Sequence, residues 1–89
     1  MNDEVQRYRE RIKELGYLGD GQDWFSKEMR KGTITPEEFE RRMRLIEDVF
    51  GGDPEDTHMA QDDLMLEVLR QNGYAEGVKV FYESGKWYA

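Results

Sequence analysis

Apolar residues recur at helical spacing along most of this chain, and the breaks between them fall at glycine and proline. Val5, Tyr8, Ile12 and Leu15 share one helical face and predict a helix over 3–15, with Asp3 as its N-cap. Gly16 then supplies a left-handed stop against which Tyr17 or Leu18 folds back. After a Gly19-Asp20-Gly21 turn, Trp24, Phe25 and Met29 mark a shorter helix over 22–31, starting near Asp20 and ending at Gly32. Lys27, Arg30 and Lys31 load its C-terminal end with the charge that the helix dipole favours.

Thr35-Pro36-Glu37-Glu38 is the clearest start signal: a threonine cap, a proline at the first helical position, and Glu38 as reciprocal partner in a capping box. The third helix runs to about Phe50 on a stripe of Phe39, Met43, Ile46 and Phe50, and stops at Gly51. Asp53-Pro54-Glu55-Asp56 repeats that grammar and opens a fourth helix over 54–72, which buries some of Met59, Leu64, Met65, Val68 and Leu69 and ends at Asn72-Gly73. Tyr74, Val78, Phe81 and Tyr82 fit a short fifth helix. The alternative is a β-hairpin over 78–88, turning at Gly85, but each arm would be very short. The expected fold is therefore all-α: one domain over 1–89, a small bundle of four or five short helices that is not a coiled coil. Its core should draw on Tyr8, Ile12, Leu15, Trp24, Phe25, Met29, Phe39, Met43, Ile46, Phe50, Leu64, Val68, Leu69 and Phe81. Trp87 and Tyr88 should close it as a C-terminal plug.

Composition alone pulls the other way. Apolar and charged residues each make up 37%, a balance that leans towards disorder. Two tryptophans, five tyrosines and four phenylalanines offset it, because aromatic side chains bring large buried areas. With no cysteine, disulfides, thiolate metal sites and a cysteine nucleophile are excluded. Met1-Asn2-Asp3-Glu4 lacks the features of a signal peptide, and no apolar run approaches the roughly 18 residues of a membrane span. The expectation is a soluble cytoplasmic protein.

Charge sharpens the picture. All eight charged residues between Leu45 and Leu69 are acidic: Glu47, Asp48, Asp53, Glu55, Asp56, Asp62, Asp63 and Glu67. The rest of the chain holds 12 acidic and 13 basic residues, so the net charge of −7 belongs to this one segment. Such a block attracts cations or a basic partner and repels nucleic acid, despite the small basic cluster Arg41, Arg42 and Arg44.

The polar constellations are weaker signals. Gly32, Ile34 and Glu38 fall at EF-hand positions, but the ligand positions hold Lys27, Met29 and Lys31, which cannot coordinate calcium. His58 with Asp62, and Asp63 with Glu67, stand one turn apart, yet a metal needs a third ligand and no second histidine exists. One histidine also leaves no Ser/His/Asp set, and Gly19-x-Gly21 lacks the preceding strand of a phosphate loop. No metal or other cofactor is expected.

Three stretches carry resemblances. Glu37-x-x-Glu40 is similar to the carboxylate pair of the all-α nucleotide pyrophosphohydrolases, with Asp53-x-x-Asp56 as the nearest second pair. That resemblance implies a magnesium-dependent hydrolase with these four ligands and Arg41 or Arg44 receiving phosphate. Met29 to about Leu45, with its glycine, isoleucine and threonine turn and Glu-Glu-Phe helix, resembles a short bacterial helical motif thought to aid oligomerisation. Residues 53–89, with His58-x-x-x-Asp62-Asp63-Leu64, Asn72-Gly73-Tyr74 and the Lys86-Trp87-Tyr88-Ala89 ending, resemble small uncharacterised phage and prophage helical proteins.

The leading expectation is a non-enzymatic acidic module, phage-encoded on that resemblance, whose eight acidic residues bind a protein with a basic surface and modulate or inhibit it. It binds neither nucleic acid nor membrane. The alternatives are the magnesium-dependent hydrolase and an oligomeric scaffold.

Overall fold

The computed structural model describes residues 3–16 and 19–84. Its helix boundaries follow local chemistry. Thr35 Oγ1 accepts from the backbone N–H of Glu38 at 3.1 Å and opens α3 (Pro36–Phe50). Asp53 Oδ1 accepts from the N–H groups of Glu55 and Asp56 at 3.1 and 3.2 Å and opens α4 (Pro54–Gln71). Each proline sits at a position whose missing N–H has no intrahelical partner to lose. The capping box is only half formed, because the Glu38 carboxylate turns away to Arg41 and Arg42.

α1 (Asp3–Leu15) begins at Asp3 itself, so Asp3 lies in the first turn and is not the cap. Gly16 takes φ 109° and donates to Ile12 O at 3.0 Å, the left-handed ending its sequence predicts. The expected contact from Tyr17 or Leu18 lies outside the described residues. α2 (Asp20–Met29) sits two residues N-terminal of its predicted span, and α5 (Ala75–Glu83) is helical. Val78 to Glu83 therefore form no hairpin arm; the Trp87 and Tyr88 plug lies outside the described residues. Among the described residues there is no strand, and no helix is long and apolar enough to cross a membrane.

Four helices close a ring. α1 packs on α2 and α3, and α4 completes the circuit by packing on both α2 and α3. Phe25, Ile12, Ile46 and Leu64 fill its centre. Phe25 is held edge-on by Tyr8 and Phe50, with ring centroids 5.1 and 5.3 Å away. Arg9 reaches across from α1 to donate to the carbonyls of Asp48 and Val49, capping the last turn of α3 with a cation. Val5, Ile34, Leu45, Val49 and Ala60 join the core. None of these five was in the expected set, although Val5 lies on the predicted apolar face of α1.

α5 stands outside the ring and packs on α4. Leu66 lies about 200° round α4 from Leu64, since each residue advances about 100°. It is nevertheless buried, as is Val78 of α5, and both fall outside the central cluster. α4 is thus apolar on two sides: one enters the ring and the other receives α5. Leu69 and Phe81, expected in the core, are both 43% exposed, because neither faces the ring.

Candidate acidic docking site

The eight acidic residues do not form one surface. Three of them hold the fold together. Asp53 caps α4. Asp63 accepts from Ser26 Oγ of α2 at 3.0 Å and from the Tyr82 hydroxyl of α5 at 3.2 Å, tying three helices at one carboxylate. Burial, followed by the charge and hydrogen bond of Asp63, pushes the Tyr82 phenol above its ordinary pKa. Glu67 accepts from Arg70 Nη2 at 2.8 Å and from Gln71 Nε2 at 3.0 Å. Burial works to raise its pKa, but those donors outweigh it and hold the carboxyl below its usual range. Gln71 in turn donates to Gly32 O and accepts from Ile34 N, which clamps the α2–α3 connection.

The other five have different settings. Glu47, Asp48 and Glu55 are exposed, while Asp56 and Asp62 are half-buried. Arg70 belongs to Glu67, donating from Nη2 to both of its carboxylate oxygens.

Packing α2 against α4 creates what the linear block does not announce. A cleft of about 200 Å³ opens between them, lined by Asp23, Ser26, Asp56 and Asp63 together with the apolar Phe50, Met59 and Ala60. Asp23 comes from outside the 45–69 segment and carries an exposed ion pair to Lys27 at 3.1 Å. Nothing in the local sequence marks it, because its role depends on the α2–α4 pairing. Three carboxylates around an opening with apolar walls suit a cation carried on an aliphatic stem.

The four carboxylates of the hydrolase reading are held apart. Glu37 and Glu40 begin α3, whereas Asp53 and Asp56 begin α4 beyond its far end. From Glu40 to Phe50 alone is about 15 Å along the helix, at 1.5 Å per residue. Glu40 is bonded to Arg44 at 3.0 Å. Among the described residues, no group of three or more His, Cys, Asp or Glu is arranged to hold a metal ion, the His58–Asp62 pair included.

Comparison with known protein families, with curated proteins and with solved structures finds no match. The geometry of the site therefore carries the functional reading.

Proposed function

We propose that this chain is a cytoplasmic, non-enzymatic acidic module that binds the basic surface of another protein, with the α2–α4 cleft receiving a lysine or arginine side chain. The observation that carries this reading is the cleft itself, whose lining combines Asp23, Asp56 and Asp63 with the apolar Phe50, Met59 and Ala60. An arginine entering there can lay its methylene stem against the apolar lining residues and its guanidinium among the carboxylates. The phage resemblance of residues 53–89 adds a setting in which the partner is a host protein that the module modulates or inhibits.

The test compares two variants of equal charge. Asp23→Asn with Asp56→Asn removes two charges at the cleft and spares Asp63, whose bonds join three helices. Glu47→Gln with Asp48→Asn removes two charges from the exposed end of α3. Titrated with a short oligo-arginine peptide, the cleft variant should bind about tenfold more weakly than the parent, and the α3 variant within about threefold of it. Equal weakening of both would mean that net charge alone attracts the peptide, and the cleft reading would fall.

A further inference from the structure

We propose that a second opening, between α1 and the end of α3, binds a free medium-chain fatty acid: a carboxylate carried on an aliphatic body. A cavity of about 470 Å³ is lined there by Arg9, Ile12 and Lys13 of α1 and by Val49, Phe50 and Gly51. Its size falls within the range of roughly 300–1,000 Å³ typical of small-ligand sites, which pair an apolar lining with a few polar anchors. Ile12, Val49 and Phe50 all belong to the central core, so the apolar wall they present is held by packing.

The anchors are cations. Arg9 and Lys13 stand one turn apart on α1, which puts them on the same side of the helix. Arg9 is already ordered, because Nε and Nη2 donate to the carbonyls of Val49 and Asp48. Those bonds use two of the five guanidinium N–H groups. The two on Nη1 and the second on Nη2 form the outer edge of the fork, the edge that suits a bidentate carboxylate. A cation held in advance loses little further freedom on binding. Lys13 is exposed, forms no ion pair with the described residues, and supplies a second charge. Gly51 borders the guanidinium so closely that a Cβ would sit 3.9 Å from Arg9 Nη2; as glycine it adds no side chain there.

This pairing selects the occupant. Exposed cations alone hold a small anion weakly, and a neutral hydrocarbon would leave both cations unused. A fatty acid engages them with its carboxylate while its chain covers the apolar wall. The chain's net charge of −7 does not forbid an anion here, since charges more than about 8 Å away are largely screened at physiological salt. Phe50 borders both this cavity and the acidic cleft, but the two share no charged residue, so they select ligands of opposite sign.

The full chain is titrated with decanoate below its micelle concentration, followed by calorimetry and by backbone amide shifts in NMR. Binding should be saturable, with the largest shifts at Ile12, Lys13, Val49 and Gly51. Hexanoate should bind at least about tenfold more weakly, since each buried methylene is worth roughly threefold. The neutral analogue 1-decanol should also lose at least about tenfold. Lys13→Gln should weaken decanoate binding at least about fivefold. Arg7→Gln makes the same charge change on α1 outside the lining and should stay within about twofold. Asp23→Asn with Asp56→Asn should also stay within about twofold, so failure of this site and failure of the acidic cleft are separable. Absence of saturable binding, equal affinity for 1-decanol, or equal effects of Lys13→Gln and Arg7→Gln would overturn the proposal. So would shifts centred on Leu69 and Val80, which would place the ligand on the exposed apolar residues of α4 and α5.

Discussion

Glu38 links three helices through two arginines, and replacing it with glutamine tests that linkage. Its carboxylate accepts from Arg41 Nη2 at 2.7 Å and from Arg42 Nε at 2.9 Å. Arg42 passes the connection on to the end of α2, donating to the carbonyls of Met29 and Lys31 at 2.8 and 2.9 Å. Arg41 reaches the Glu4 carboxylate of α1 at 3.0 Å. Hydrogen bonds from Arg41 and Arg42 hold the Glu38 carboxyl down from its ordinary 4.5 to about 2. A carboxyl depressed in the folded state contributes stability above its unfolded pKa and loses it as pH falls through the folded value. The window for Glu38 is therefore from about 4.5 down to about 2.

Taken whole, that displacement converts to roughly 3 kcal/mol at 1.36 kcal/mol per pH unit. Solvent reduces it, because the Glu38 side chain is 29% exposed and that of Arg41 49%. Arg42 is only 13% exposed, which preserves part of the effect. A net contribution of about 1–1.5 kcal/mol remains. For a domain of this size that lowers Tm by roughly 5–10 °C at pH 7. Glutamine keeps the shape of the side chain, and Arg42 keeps the Met29 and Lys31 carbonyls, so the fold should survive. Thermal unfolding of parent and Glu38→Gln, followed by circular dichroism at several pH values between 7 and 2, should show the two curves converging as the pH approaches 2. A gap below about 0.3 kcal/mol at pH 7, or one that stays constant down to pH 2, would refute the linkage.

Two further expectations concern packing. Phe25 is fully buried at the centre of the ring, so Phe25→Ala should cost about 3–5 kcal/mol in denaturant unfolding; a loss below about 1.5 kcal/mol would mean the site collapses around the gap. Gly21 and Gly77 both lie inside helices, where alanine is ordinarily favoured by roughly 0.5–1 kcal/mol. A Cβ at Gly21 would collide with the Ile12 carbonyl and sit 2.8 Å from that of Gly16, whereas one at Gly77 meets nothing within 4 Å. Gly21→Ala should therefore destabilise and Gly77→Ala stabilise, and matching signs in a melting comparison would contradict the close approach of α1 and α2.

Legibility in the sequence follows the range of the interaction. The starts of α3 and α4 are written in four residues each, because a cap and a proline act on backbone groups within one turn. Ile12, Phe25, Met29, Ile46, Phe50 and Leu64 are readable as core because α1, α2 and α3 each bury one stripe and Leu64 faces the ring. α4 defeats the same reasoning. With apolar residues on two sides, its periodicity leaves open which set enters the ring; it points to Leu69 as core, whereas the structure buries Leu66. The cleft is harder still, since Asp23 and Asp56 meet only through the pairing of α2 with α4. The acidic block was visible as charge, but its division into structural and outward-facing residues depends on Ser26, Tyr82, Arg70 and Gln71, which come from three helices.

That division bears on why α4 keeps so much unfavourable surface. Carboxylates one turn apart on a helix repel, as Asp63 and Glu67 do, at a cost of a few tenths of a kcal/mol per pair. The fold offsets that particular pair, giving Asp63 two hydroxyl donors and Glu67 an arginine and an amide. Met65 and Leu69 are a different case, since both stay exposed. Leucine or methionine at 42–43% exposure still forfeits part of its burial energy, about 25 cal/mol for each Å² left wet. A side chain at either position directed to folding alone would be polar, like the arginines and glutamates on the outer face of α1.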